Sequence, residues 1–142
     1  SHNVGGLKVG SKNPDEYVLM IAHWDHLGKR ENHSPSNDQI YNGAVDNATG
    51  VAGKLELADS FKNETLDRSL LFLAVTAEES GLLGSQYFGE YPPIELANIV
   101  AGYNFDGVLP IGRTKDVVVV GFGASELEDI LEEEFLVSEA LL

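Results

Sequence analysis

Cysteine is absent from this chain of 142 residues, which excludes a disulfide framework and any thiolate metal site. A metal bound here must be held by His and carboxylates. Basic residues are scarce, with 9 Lys and Arg against 23 Asp and Glu and a formal net charge of −14. That balance repels phosphate backbones and anionic lipid surfaces and favours cationic ligands, so neither nucleic acid nor a membrane is expected as a partner. Long apolar runs are also missing: none approaches the roughly 20 residues of a bilayer span, and the N-terminus has no signal-peptide pattern. There is no internal repeat and no low-complexity tract. The chain is 43% hydrophobic and contains 15 Gly, a composition that fits an α/β or α+β domain. A chain of this length buries about two thirds of its unfolded surface, and residues 1–142 are read as one domain.

What is present is one pattern written three times, an apolar strand running into ligand-type side chains. Residues 70–81, LLFLAVTAEESG, read as a strand buried on both faces that ends in Glu78 and Glu79. Residues 17–22, YVLMIA, lead into His23-Trp24-Asp25-His26, where His23 and Asp25, two apart, share one side of the strand. Residues 99–103 lead into Asn104-Phe105-Asp106-Gly107. In an open α/β sheet the crevice beyond the carboxyl ends of the strands is where ligands bind. Each residue also has an ordinary reading. Adjacent acids suit a helix N-terminus, an isolated His is usually solvated or satisfied in the core, and Asp46 or Asn47 suits an N-cap.

Between these strands the sequence predicts connecting elements. Residues 3–9 form a weak strand and 10–16 a turn, so that 3–9 and 17–22 make a hairpin. Residues 27–42 are polar and read as a loop in which His33 is solvated. Small residues crowd around Asp46 and Asn47 in YNGAVDNATGVAG, and a helix follows whose apolar stripe is Val51, Leu55 and Ala58, widened by Leu57 and Phe61. A short helix is expected over 80–88, stopped by Tyr91-Pro92-Pro93. Residues 116–120 are a β-branched run, and Ser125 with Glu128 form a capping box for an acidic helix that buries Leu127, Ile130, Leu131 and Phe135. Its Glu132, Glu133 and Glu134 form a solvated face.

If the three strands are neighbours, Asp25, Asp46, Glu78, Glu79 and Asp106 share a crevice with His23 and with no Lys or Arg from the same segments. Carboxylates packed that closely raise one another's pKa values unless a cation neutralises them. His with carboxylates suits catalytic zinc.

The segments AHWDHLG, YNGAVDNATG, TAEESGLLGS and NFDGV occur in order through nearly the whole chain. They resemble the four successive metal-site motifs of the co-catalytic di-zinc aminopeptidases, a family that includes glutamate carboxypeptidase relatives. The resemblance implies a three-layer α/β/α sandwich with a mixed, centrally parallel sheet. It also implies two zinc ions: His23 and Asp106 ligate one, Glu79 the other, and Asp46 bridges both. Glu78 would be the general base toward the attacking water and Asp25 the acid that orients His23, with a cis peptide at Asp46-Asn47. Hydrolysis of the N-terminal bond of a peptide or aminoacyl substrate follows as the implied activity, and a secreted or periplasmic location is favoured on the same ground alone.

One departure stands out. The family's second zinc takes a His from a later segment, and no His follows His33. The chain is accordingly read as the N-terminal part of a catalytic domain, weakly active or inactive by itself and holding one or two zinc ions. Two alternatives share the scaffold: a single-zinc acyl transferase similar to glutaminyl cyclases, and a non-catalytic binding domain similar to the transferrin-receptor ectodomain. Ligands for both metals argue against the first, and retention of Glu78 and Glu79 with His23 and Asp46 argues against the second.

Overall fold

The computed structural model describes residues 1–30, 38–108, 112, 120 and 123–140, and the chain divides into two compact units, Ser1–Pro110 and Ile111–Leu142. The first unit is built on a four-stranded sheet of β1 (Val4–Lys8), β2 (Asn13–His23), β3 (Arg68–Val75) and β4 (Ile99–Asn104), in the order β1-β3-β2-β4. β1 runs antiparallel to β3, whereas β3, β2 and β4 are mutually parallel. The sheet is therefore mixed and parallel at its centre. Helices α1 (Ala48–Phe61) and α2 (Leu83–Glu90) follow β2 and β3, as parallel strands require of their connections.

Burial explains which strands are central. All of β3 from Ser69 to Val75 is buried or nearly so, as a continuous apolar strand should be when both its faces are covered. On one face Leu19, Leu71, Leu73 and Val75 pack with Phe88 of α2, joined by Ile21, Ile94 and Ile99. Met20, Ala22 and Leu70 are buried on the alternate positions, and α1 lies against β2 and β3. This gives the layered α/β arrangement that the motif resemblance implies.

Residues 3–9 and 17–22 do not form the expected hairpin, because β3 lies between β1 and β2. The chain leaves β1 and crosses the start of β3: the backbone N–H of Ser11 donates to Leu66 O, and those of Lys12 and Asn13 donate to Asp67 O. Gly10 makes the crossing possible, since a Cβ there would overlap the backbone of Asp67 and Arg68. Its N–H donates to the hydroxyl of Ser69, which in turn donates to Pro14 O. The polar cluster read as a turn is thus partly the irregular beginning of β2, whose register shifts between Asn13 and Tyr17.

Two helices also differ from expectation. In α1, Val51, Leu57, Ala58 and Phe61 are partly buried as expected, but Leu55 is 62% exposed and Lys54 only 4%. α2 starts at Leu83 rather than near Ser80, because residues 76–82 form a loop in which Ala77 and Leu82 take positive φ angles of 55° and 62°. The helix ends at Glu90, directly before Tyr91-Pro92-Pro93.

The second unit contains α3 (Leu127–Ala140). Glu128 does reach back, but its carboxylate accepts from the N–H groups of Gly123 and Ala124, while the Ser125 hydroxyl accepts from Leu127 N. Ile130 and Leu131 are exposed, as are Glu132, Glu133 and Glu134. The loop tip with His33 and the β-branched run over 116–119 lie outside the described residues.

Candidate metal centre

The strand order decides who meets whom. β2 lies between β3 and β4 with all three parallel, so the residues beyond their carboxyl ends converge on the end of β2. His23 is the last residue of β2 and pairs in register with Val75, while Ile21 pairs with Asn104. The ladder continues past the strands, with Trp24 N donating to Val75 O and Phe105 N to Ile21 O. His23 is consequently flanked by the Glu78 loop on one side and by Asp106 on the other.

His23 is 2% exposed. Its Nδ1 is 3.1 Å from the backbone carbonyl of Asp25, and since a carbonyl only accepts, Nδ1 carries the proton and Nε2 presents its lone pair to the site. Around Nε2 stand Asp46 Oδ1 at 3.0 Å, Asp106 Oδ1 at 3.5 Å and Glu78 Oε2 at 4.0 Å. Burial alone depresses the His23 pKa, but the charges of Asp106 and Glu78, the Asp25 carbonyl and the charge of Asp46 outweigh it. The net shift is upward from the usual 6.5.

The Asp25 carboxylate lies beside the His23 ring and also serves the neighbouring loop. Its Oδ1 is 3.7 Å from His23 Nδ1 but accepts from Glu78 N at 3.1 Å, and its Oδ2 accepts from Glu79 N at 3.4 Å. Asp25 holds His23 through its backbone and the two glutamates through its side chain. The loop carrying those glutamates is tied at its other side by Asn3, which accepts from Thr76 N and donates to Gly84 O. Gly84 sits so close to Thr76 that a Cβ would overlap its backbone.

Asp46 reaches the site from the start of α1, across a cis peptide between Asp46 and Asn47. Asn47 is the N-cap of α1: its side-chain oxygen accepts from Gly50 N at 3.1 Å. The same side chain also donates to Phe105 O at 2.9 Å and accepts from Gly107 N at 3.3 Å. Asn47 therefore clamps the loop of Asp106 onto the helix that presents Asp46. Gly50 leaves room for the clamp, since a Cβ would overlap both the Asn47 side chain and Phe105 O.

Among the described residues, two three-residue groups could hold a cation, with one ligand atom from each residue all within 4.8 Å of one another: His23, Asp46 and Asp106 form one, and His26, Asp46 and Glu79 the other. Asp46 belongs to both, and Glu78 belongs to neither. In the second group His26 Nδ1 lies 2.6 Å from Glu79 Oε1, and both atoms are buried without a well-directed hydrogen bond. Uncompensated buried polar atoms are costly. Imidazole and carboxylate donors in this arrangement fit zinc. The strand-end pattern and the motif resemblance bring together His23, Asp25, Asp46, Glu78, Glu79 and Asp106, give no role to His26, and treat Asn47 as a cap and as the partner of Asp46 in a cis peptide. The spacing of His23 and His26, with Asp25 between them at the end of one strand, was the signal for His26. For the Asn47 clamp there was none, because its partners are some 58 and 60 residues away.

Known proteins resemble this chain in sequence and fold. A probable zinc metalloprotease of Pyrenophora tritici-repentis (strain Pt-1C-BFP) is 38% identical over 100 residues, 70% of this chain and 22% of that protein. The aminopeptidase YwaD of Bacillus subtilis (strain 168) is 34% identical over 111 residues, 76% of this chain and 22% of that protein. Among solved structures, BSAP, a zinc aminopeptidase from Bacillus subtilis, superposes with a TM-score of 0.58 at 29% identity, covering 75% of this chain and 24% of that one. The chain thus spans about a fifth of the length of the curated relatives it matches. Since the pattern of one family extends from residue 3 to residue 139 and takes in every side chain of the centre, the chain belongs to Peptidase family M28.

Proposed function

We propose that this chain carries the working face of a zinc-dependent aminopeptidase acting on the N-terminal bond of a peptide or aminoacyl substrate. The observation that carries the reading is the membership of Asp46 in two His–carboxylate groups at once, which suits a pair of cations sharing one carboxylate. His23, Asp46 and Asp106 would hold the first zinc, and Asp46 with Glu79 the second. Bound there, zinc would supply Lewis acidity toward the scissile carbonyl and toward water.

The chain's own residues do the rest. Glu78 stands beside the first group without joining either, at 4.0 Å from His23 Nε2, so its carboxylate is free to accept a proton from the attacking water and pass it to the leaving amine. Asp25 fixes the backbone from which Glu78 and Glu79 project. The acidic surroundings favour a cationic substrate end, which the free amino group of a peptide provides. Relatives named as an aminopeptidase and as zinc metalloproteases support the reading. A second cation group beside the first favours it over a single-zinc acyl transferase.

The test is Glu78→Gln in the intact protein, followed by zinc content and by turnover of an aminoacyl arylamide. The variant should keep its zinc and lose roughly 10²-fold or more in turnover. Zinc loss on this substitution, or turnover near that of the parent, would refute the assignment.

A further inference from the structure

We propose that Asn3 is a positioning residue for Glu78: its side-chain amide closes the two ends of the loop from which that carboxylate projects. The inference rests on the reading of Glu78 as the general base and adds the residue that keeps it in place.

The loop has a narrow neck. β3 ends at Val75 and α2 begins at Leu83, and between them the chain folds back on itself, with Gly84 N donating to Thr76 O at 2.9 Å and Leu83 N to Ala77 O at 3.1 Å. Asn3, just before β1, spans this neck. Its Oδ1 accepts from Thr76 N at 3.1 Å and its Nδ2 donates to Gly84 O at 2.7 Å. A backbone N–H only donates and a carbonyl only accepts, so the amide serves both partners in one orientation alone. A Cβ on Gly84 would overlap the Thr76 backbone and the Asn3 side chain.

The loop beyond the neck is strained. Ala77 and Leu82 have φ angles of 55° and 62°, a region that residues with a side chain keep only when their surroundings hold them there. Glu78 follows Ala77 directly. Asp25 holds the N–H groups of Glu78 and Glu79 from the β2 side, and Gly81 N and Leu82 N both donate to Glu78 O. Asn3 holds the opposite side. Without it Thr76 N loses its acceptor and Gly84 O its side-chain donor, and relaxation of Ala77 to negative φ would carry Glu78 away from His23 Nε2, now 4.0 Å from its carboxylate. A shift of about 1 Å at a reacting group is enough to cost a large factor in rate.

The experiment is a double-mutant cycle in the intact protein. Turnover of an aminoacyl arylamide at saturating zinc is measured for the parent, Asn3→Ala, Glu78→Gln and the double variant, with hydrogen–deuterium exchange of peptides covering 68–90. Asn3→Ala should lower kcat roughly 10- to 10²-fold with KM little changed. In the Glu78→Gln background the same substitution should change kcat by no more than about twofold, since the group it positions is already gone. Exchange should rise over 76–84 and stay parental over 68–75. Asn3→Asp keeps an acceptor for Thr76 N but sets an oxygen against Gly84 O, so it should lose activity in the same way, and it carries the comparison if Asn3→Ala does not fold. Parental kcat in both Asn3 variants, an equal loss in the two backgrounds, or faster exchange throughout 68–75 would reduce Asn3 to a general structural contact and overturn the inference. Undiminished turnover in Glu78→Gln would instead overturn the base assignment, and this inference with it.

Discussion

The carboxylate of Asp25 accepts the backbone N–H of Glu78 at 3.1 Å, while its distance to the ring of His23 is 3.7 Å. An acid two residues from a histidine thus also sets the path of a loop from another strand. The turn it stabilises begins at Ala77, whose φ of 55° swings the chain so that two successive N–H groups face the same carboxylate.

Asp25→Ala should accordingly destabilise the metal-free protein by roughly 1–3 kcal/mol, because two part-buried N–H groups lose their acceptor. Asp25→Asn, which retains one acceptor oxygen, should cost less. Thermal melts of both variants without metal test this. If Asp25 acted only on the His23 ring, neither substitution would move the melting temperature, and the effect would show in zinc affinity alone.

Asp46 is shared by both cation groups, so its loss should be felt at both. Asp46→Ala should remove more bound zinc than either His23→Ala or Glu79→Ala, each of which touches one group. Metal analysis after gel filtration decides it. Equal losses in the three variants would count against a shared ligand.

The Asn47 side chain ties α1 to the Asp106 loop through three hydrogen bonds. Asn47→Ala should cost about 1 kcal/mol from the lost cap and should also weaken metal binding at the His23 position, since Asp106 is no longer held. Gly50→Ala should reproduce that second effect by displacing the clamp. The discriminating measurement is zinc affinity at each position; a helix defect alone would lower the melting temperature without affecting the His23 position selectively.

Lys54 is buried in α1, and burial lowers its pKa to about 8 from 10.5. Between those values the unfolded chain holds a proton that the folded chain has lost, so this residue makes stability rise with pH across that window. Below pH 8 both states are charged, and the folded state bears the cost of the buried ammonium. Lys54→Met should therefore raise the melting temperature at pH 7, and the gain should shrink as pH approaches 10.5. A constant difference between variant and parent from pH 7 to 10 would show that the ammonium is well solvated.

Some of this protein was legible from residue type alone. β3 is apolar at every position from Leu70 to Val75, and no surface strand can be written that way, so its central place in the sheet and the position of Glu78 and Glu79 past its end followed directly. The motif resemblance added the cation-binding chemistry of His23, Asp46, Glu79 and Asp106, which apolar patterning does not specify. Other features depended on which segments the fold makes neighbours. The partnership of β1 with β3 rather than β2 is set by the crossing at Gly10 and Ser69, a contact between residues 59 apart in sequence. Lys54 instead of Leu55 faces inward on a helix whose N-cap, Asn47, is anchored to the Phe105 loop. His26 comes against Glu79 because β2 and β3 are parallel and their ends coincide. Hydrophobic periodicity records the average surroundings of a strand or helix, whereas hydrogen bonds and metal-ligand contacts depend on positions within a few tenths of an ångström that the packed structure alone defines.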